Sequence, residues 1–126
     1  EWQVPIISKL KETGYEVLCI NLYSDTAGAL LADYFEQANV VDHEACLEKV
    51  KKYPVKGIIT DQSDISVFTV AYIAEKLGLT GIGQDCAKLF TNKLLMRNKA
   101  SELGVHCPNY EIAYSPAETE KPIPTA

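Results

Sequence analysis

No stretch of this chain approaches the roughly 18 consecutive apolar residues that a membrane-spanning helix needs, and Glu1-Trp2-Gln3 puts no basic cluster ahead of an apolar run. The expectation is a cytoplasmic protein that neither crosses a membrane nor is secreted. Positive charge is also scarce, with 12 Lys and Arg against 17 Asp and Glu and a net charge of −5. That balance argues against a nucleic-acid surface, which neutralises phosphates with clustered cations. The four cysteines, Cys19, Cys46, Cys86 and Cys107, form no C-x-x-C pair, and His43 and His106 are the two histidines available to join them. Reduced, mostly buried thiols are expected, and no metal centre. Glu36, Glu44 and Glu48 show no paired arrangement suited to acid-base catalysis and read as solvated surface.

What is present suits one domain: 126 residues, of which 47% are apolar. Helix-like and strand-like segments alternate, which predicts an α/β fold with a parallel sheet covered by helices. Val4, Ile7 and Leu10 recur at helical spacing ahead of Gly14, giving a helix over about residues 3–13. The nearly continuous apolar run Tyr15 to Asn21 predicts a strand buried on both faces. A loop with one helical turn follows over 22–35, and then a short strand near Ala38 to Val41. Asp42 caps a helix carrying Cys46, Val50 and Tyr53, which Pro54 ends. Lys56 to Thr60 is the next strand.

Ser63 or Asp64 caps the strongest helix, with one stripe through Val67, Val70, Ala71, Ala74 and Leu77 and a second through Ile65, Phe68 and Tyr72. Gly78 ends it, and Leu79 to Ile82 predicts a short strand. Asp85 to Phe90 predicts one or two helical turns. Thr91 then caps a helix reaching Gly104, with Met96, Ala100 and Leu103 inward. Asn109 to Tyr114 reads as an edge strand, and the proline-bearing stretch 115–126 as a linker or disordered tail.

Four segments carry a resemblance when taken in order: I-I-T-D-Q-S-D from Ile58, A-E-K-L-G-L-T-G from Ala74, T-N-K-L-L-M-R from Thr91 and G-V-H-C-P-N-Y from Gly104. Together they resemble the pre-ATP-grasp domain and entry helix of the ATP-grasp superfamily, which includes biotin carboxylase and carbamoyl-phosphate synthase; the likeness is strongest to carbamoyl-phosphate-synthase-like proteins. The resemblance implies a Rossmann-like three-layer domain over 1–90, an entry helix and strand over 91–114, and an acyl-phosphate mechanism joining a small-molecule carboxylate to an amine. It implies ATP and Mg2+ as cofactors of a longer parent. The ATP-gripping subdomains, with the acidic magnesium ligands, would lie beyond Ala126 and be this domain's partners, and a homo-oligomer is allowed. In this family a central strand and glycine-rich turn precede the first helix, so the first strand is expected to be missing from these 126 residues.

The resemblance makes Lys93 a contact to the nucleotide phosphates, against the alternative of a solvated first-turn lysine. Arg97, four residues on, shares that helix face and extends the positive strip, unless it is ordinary surface. Ser63 and Asp64 follow a strand's carboxyl end, where open α/β sheets bind substrates, and simple N-capping explains them equally well. Tyr53, Tyr72 and Tyr110 are packing residues, and no catalytic residue is assigned. Two other functions remain open. A nicotinamide-binding Rossmann domain would need a G-x-G-x-x-G that these residues lack, and a non-enzymatic ligand-binding or regulatory module is compatible with the same fold.

Overall fold

Pro5, whose fixed φ and missing N–H suit a first helical turn, opens α1 (Val4–Glu12) in the computed structural model, which describes residues 2–119. Gly14, at φ 86°, turns the chain from α1 toward β1 (Leu18–Asn21). A short helix, α2 (Ala27–Leu31), follows, with the Ala29 N–H donating to Thr26 Oγ1 at 3.3 Å. It leads to β2 (Tyr34–Gln37), which pairs parallel with β1 in the register Leu18↔Tyr34 through Asn21↔Gln37.

Asp42 caps α3 (His43–Val50) by accepting the Ala45 N–H at 3.0 Å. The chain then runs without regular structure to a 3-10 turn at Asp64–Ser66 that feeds α4 (Val67–Leu77), closed by Gly78 in the left-handed region. α5 (Gln84–Thr91) completes a first unit, and a second unit begins at Asn92 with α6 (Lys93–Glu102).

The first unit holds two apolar clusters, and β1 contributes to both. Cys19 lies with Ile7 and Val17, where Leu10, Leu31 and Phe35 join them, so this cluster is built from α1, α2 and the sheet. Ile20, the next residue, packs instead against Ala38, Cys46, Leu47, Val50, Tyr72 and Ile73, the cluster of α3 and α4. Alternation along a strand sends neighbours to opposite faces, so β1 is buried on both sides as its sequence predicts. Among the described residues from Asn92 on, none is buried.

The molecule is therefore mixed α/β with a small parallel sheet, and among the described residues that sheet has two strands. Of the Tyr15 to Asn21 run, the part from Leu18 forms ladder, because the Tyr15 N–H is spent on the Leu10 carbonyl and the Val17 N–H on Asp33 Oδ2. The second strand is Tyr34–Gln37 and not 38–41: Asn39 accepts the Val41 N–H on its side chain and the Asp42 N–H on its carbonyl, which makes that stretch a turn.

Residues 56–60, 79–82 and 109–114 join no ladder among the described residues, and the chain bends at Lys56 and Tyr114. Gly81 instead lies so close to α4 that a Cβ there would come within 2.9 Å of Ala74 Cβ. Tyr110 turns its hydroxyl to Asn98 Oδ1 at 2.6 Å. Ala71 and Ala74 of the predicted first stripe are 1% exposed, and so is Ile73, the largest fully buried side chain of α4, which neither stripe contains; Ile65 of the second stripe is 66% exposed. The expected tail over 115–126 begins with a 3-10 turn at Pro116–Glu118, and from residue 120 it lies outside the described residues.

Candidate functional site

Within the first unit, the carboxyl ends of β1 and β2 release the loops 22–26 and 38–42, and the run 56–60 leads into 61–66. Asn21 ends β1 with both side-chain atoms engaged: Nδ2 donates to Gln3 Oε1 at 3.1 Å, and Oδ1 accepts the Tyr23 N–H at 3.1 Å. The Thr69 hydroxyl donates to the Val40 carbonyl at 2.6 Å, which ties the start of α4 to the loop after β2. Thr60 and Ser66 bring their hydroxyl oxygens to 2.5 Å and pinch the 61–66 loop shut at its base. Inside that loop Gln62 holds φ 59°, a left-handed conformation costing a non-glycine residue about 1–2 kcal/mol.

Ser63 and Asp64 are both exposed on this loop. Ser63 occupies the cap position of the 3-10 turn, yet its side chain makes no capping bond, and its carbonyl accepts from the Ser66 hydroxyl at 3.3 Å. Capping, the ordinary explanation for this residue, is thus not what its hydroxyl does. Among the described residues the Ser63 hydroxyl and the Asp64 carboxylate have no hydrogen-bond partner, so both are free to meet a solute. The sequence suggested these two positions, and the pinching pair Thr60 and Ser66 escaped it, since a hydroxyl pair six residues apart has no motif.

In the second unit Asn92, not the expected Thr91, caps α6: its Oδ1 accepts the N–H groups of Leu94 and Leu95 at 3.0 and 3.1 Å. The Thr91 hydroxyl is turned back to the Ala87 carbonyl at 2.8 Å. Lys93 is the first residue of α6, exposed, and its ammonium has no partner among the described residues. Arg97 is half-buried, with its guanidinium 5.2 Å from the centre of the Tyr110 ring. A cation over an aromatic face is held in place, so Arg97 has a structural partner that the sequence reading did not assign to Tyr110. Leu103, expected on the inner face, is 69% exposed, because the helix ends at Glu102 and Gly104, at φ 69°, redirects the chain.

The acidic residues read as solvated surface divide. Glu36 is 14% exposed at its side chain and takes ion pairs from Lys52 at 2.9 Å and Lys49 at 3.1 Å. The hydrogen bonds from Lys52 and then Lys49 hold its carboxyl below the usual carboxylate range. Glu44 accepts the Tyr72 hydroxyl at 2.5 Å, and that bond, followed by burial, pushes the Tyr72 phenol up. The His43 ring closes the group, with its centre 4.5 Å from that of Tyr72. The Glu36 pairs fasten β2 to the end of α3, the Glu44 bond fastens α3 to α4, and both carboxylates are engaged in these contacts.

Cys19 and Cys46 are buried, as expected of structural thiols, and burial pushes both upward, with the Asp42 charge adding to the effect at Cys46. Among the described residues no group of three or more His, Cys, Asp or Glu side chains is arranged to hold a metal ion. No helix among them is long and apolar enough to cross a membrane. No protein-family model, curated protein or solved structure matches the chain.

Proposed function

We propose that this chain is the N-terminal, substrate-side domain of an ATP-dependent carboxylate-amine or carbamoyl-phosphate-synthase-like ligase, working through an acyl phosphate. The observation that carries the reading is Lys93: an exposed, unpartnered ammonium at the first position of a helix, directly after the Asn92 cap. A cation there opposes the helix dipole by typically 0.3–1 kcal/mol, so its placement favours an anionic neighbour over helix stability. In the resembling enzymes that neighbour is a nucleotide phosphate.

Lys93 would meet phosphate oxygens as a point charge, and Arg97, steadied on Tyr110, would extend the positive strip along the same helix face. Ser63 and Asp64, free on the 61–66 loop, are the groups offered to the substrate side. ATP supplies the phosphoryl group that activates the carboxylate. Magnesium is a different matter, since the described residues hold no suitable acidic cluster and the ion would be held elsewhere in the parent. A Rossmann-like three-layer arrangement is part of the same proposal, supported by the way β1 sends Cys19 and Ile20 into clusters on opposite faces.

The test is Lys93→Ala in the full-length protein. Loss of a charge-assisted contact of about 1.5–3 kcal/mol lowers kcat/KM for ATP about 10- to 100-fold. The melting temperature stays put, because an exposed lysine without a partner contributes within about 0.5 kcal/mol. Wild-type turnover together with wild-type nucleotide affinity would make Lys93 plain surface and end the proposal.

A further inference from the structure

The helices of the first unit are not all fastened in the same way. α1, α2, α3 and α4 each place side chains in one of its two apolar clusters, and among the described residues α5 places none. α5 lies instead along one face of α4. Phe68 and Glu75, seven residues apart and so two turns along that face, both reach α5, and Ala71 between them is 1% exposed. On the α5 side Ala87 is 0% exposed, and the Lys88 ammonium lies 5.4 Å from the centre of the Phe68 ring. One small buried side chain and one cation–π contact are a light attachment for a helix.

The start of α5 is held by a charge from its neighbour. Gly83 stands ahead of the helix and has no side chain to cap it. Glu75 of α4 takes over that role: its Oε1 accepts the Gln84 N–H at 2.7 Å, and its Oε2 accepts Gln84 Nε2 at 2.5 Å. A carboxylate at this end of a helix also opposes the positive pole of the helix dipole. Gly83, at φ 80°, permits the approach, since a Cβ there would come within 3.2 Å of Glu75 Oε1.

Both contacts at Gln84 require the ionised carboxylate. The Gln84 N–H, followed by its side-chain amide, holds the Glu75 carboxyl below the usual carboxylate range. Lys76 from α4 and Lys88 from α5 face it and favour the charge. The strap 78–83 between the helices carries no charged residue, and Asp85 of α5 is exposed in the first turn. With α5 detached the carboxyl regains its ordinary affinity for a proton. The hold is therefore complete above the ordinary glutamate range near pH 4.3, and it is lost as pH falls through the depressed value.

We infer that α5 is a latch, closed on α4 by the ionised Glu75 carboxylate and released as one piece when that carboxylate takes up a proton, with both apolar clusters left intact. The piece released is the stretch of chain that leads into the second unit. The inference rests on the first unit alone and stands whether or not the ligase proposal does.

Amide hydrogen exchange followed by NMR tests it on the 126-residue chain, read as protection factors so that the intrinsic pH dependence cancels. Ala87 to Phe90 report on α5, Cys46 and Ile73 report on the core, and the quantity compared is the ratio of the two. Glu75→Gln keeps the shape and removes the charge. At neutral pH it should lower the ratio about tenfold, the low end for a charge-assisted contact because Glu75 is exposed. The wild type should show the same fall between pH 7 and pH 3, and Glu75→Gln no further fall. Gly83→Ala, whose methyl crowds Oε1, should lower the ratio at neutral pH without touching the carboxylate. An unchanged ratio in either variant at neutral pH overturns the inference. So does an acid fall in Glu75→Gln as steep as in the wild type, because another group would then be the trigger.

Discussion

Glu36 is where sequence and structure part most at the level of one side chain. On β2 it reads as a solvated carboxylate, and it stands instead between two lysines that come from the end of α3 and the turn after it. Because Lys52 and Lys49 hold its pKa down in the folded chain, the unfolded chain binds the proton more readily. The stability contributed is present above the ordinary glutamate range near pH 4.3 and is lost as pH falls through the depressed folded value. Asp33 acts in the same direction, through its hydrogen bond from Lys11 and then the Val17 N–H. Urea unfolding from pH 7 to pH 3 should therefore show the wild type weakening in acid, and Glu36→Gln should be weaker at neutral pH with a flatter acid limb. A Glu36→Gln profile parallel to wild type would mean that the lysines are idle.

Side-chain caps start three of the helices, α2, α3 and α6. Asp42→Ala removes the acceptor of the Ala45 N–H and should cost about 0.5–2 kcal/mol in urea unfolding, since among the described residues no other side chain caps α3. Asp42→Asn should recover most of it, and a loss below 0.3 kcal/mol would contradict the cap. Helix ends were legible for a local reason: Gly14, Gly78 and Gly104 all adopt positive φ, and glycine alone does so without strain. Strands were less legible, because pairing is not a local property. Lys56 to Thr60 has the composition of a strand and lies on the core, but a ladder needs a neighbour at the right edge, and composition cannot report one. β2 failed in the opposite sense: Tyr34 and Glu36 disguise a strand whose inward residue is Phe35. At the candidate site the sequence singled out Lys93 through the family resemblance, Arg97 through its place four residues on along the same face, and Ser63 and Asp64 through their position ahead of a helix. It missed the hold of Tyr110 on Arg97 and the closure of the loop by Thr60 and Ser66, which depend on where distant or unpatterned residues come to rest.

For the molecule as a whole, two lysines without a partner, Lys56 and Lys93, and no acidic cluster among the described residues make a poor nucleotide clamp. Calorimetry of the 126 residues with Mg-ATP should accordingly detect neither hydrolysis nor tight binding, and a low-micromolar dissociation constant would refute that. The division of labour on β1 has a separate consequence for how the first unit comes apart. Cys19 and Ile20 are consecutive, and each is anchored in a different cluster, so neither cluster can loosen the strand without disturbing the other. Heating the first unit should thus produce a single cooperative transition, with fluorescence and circular dichroism tracing the same curve and no half-molten species between.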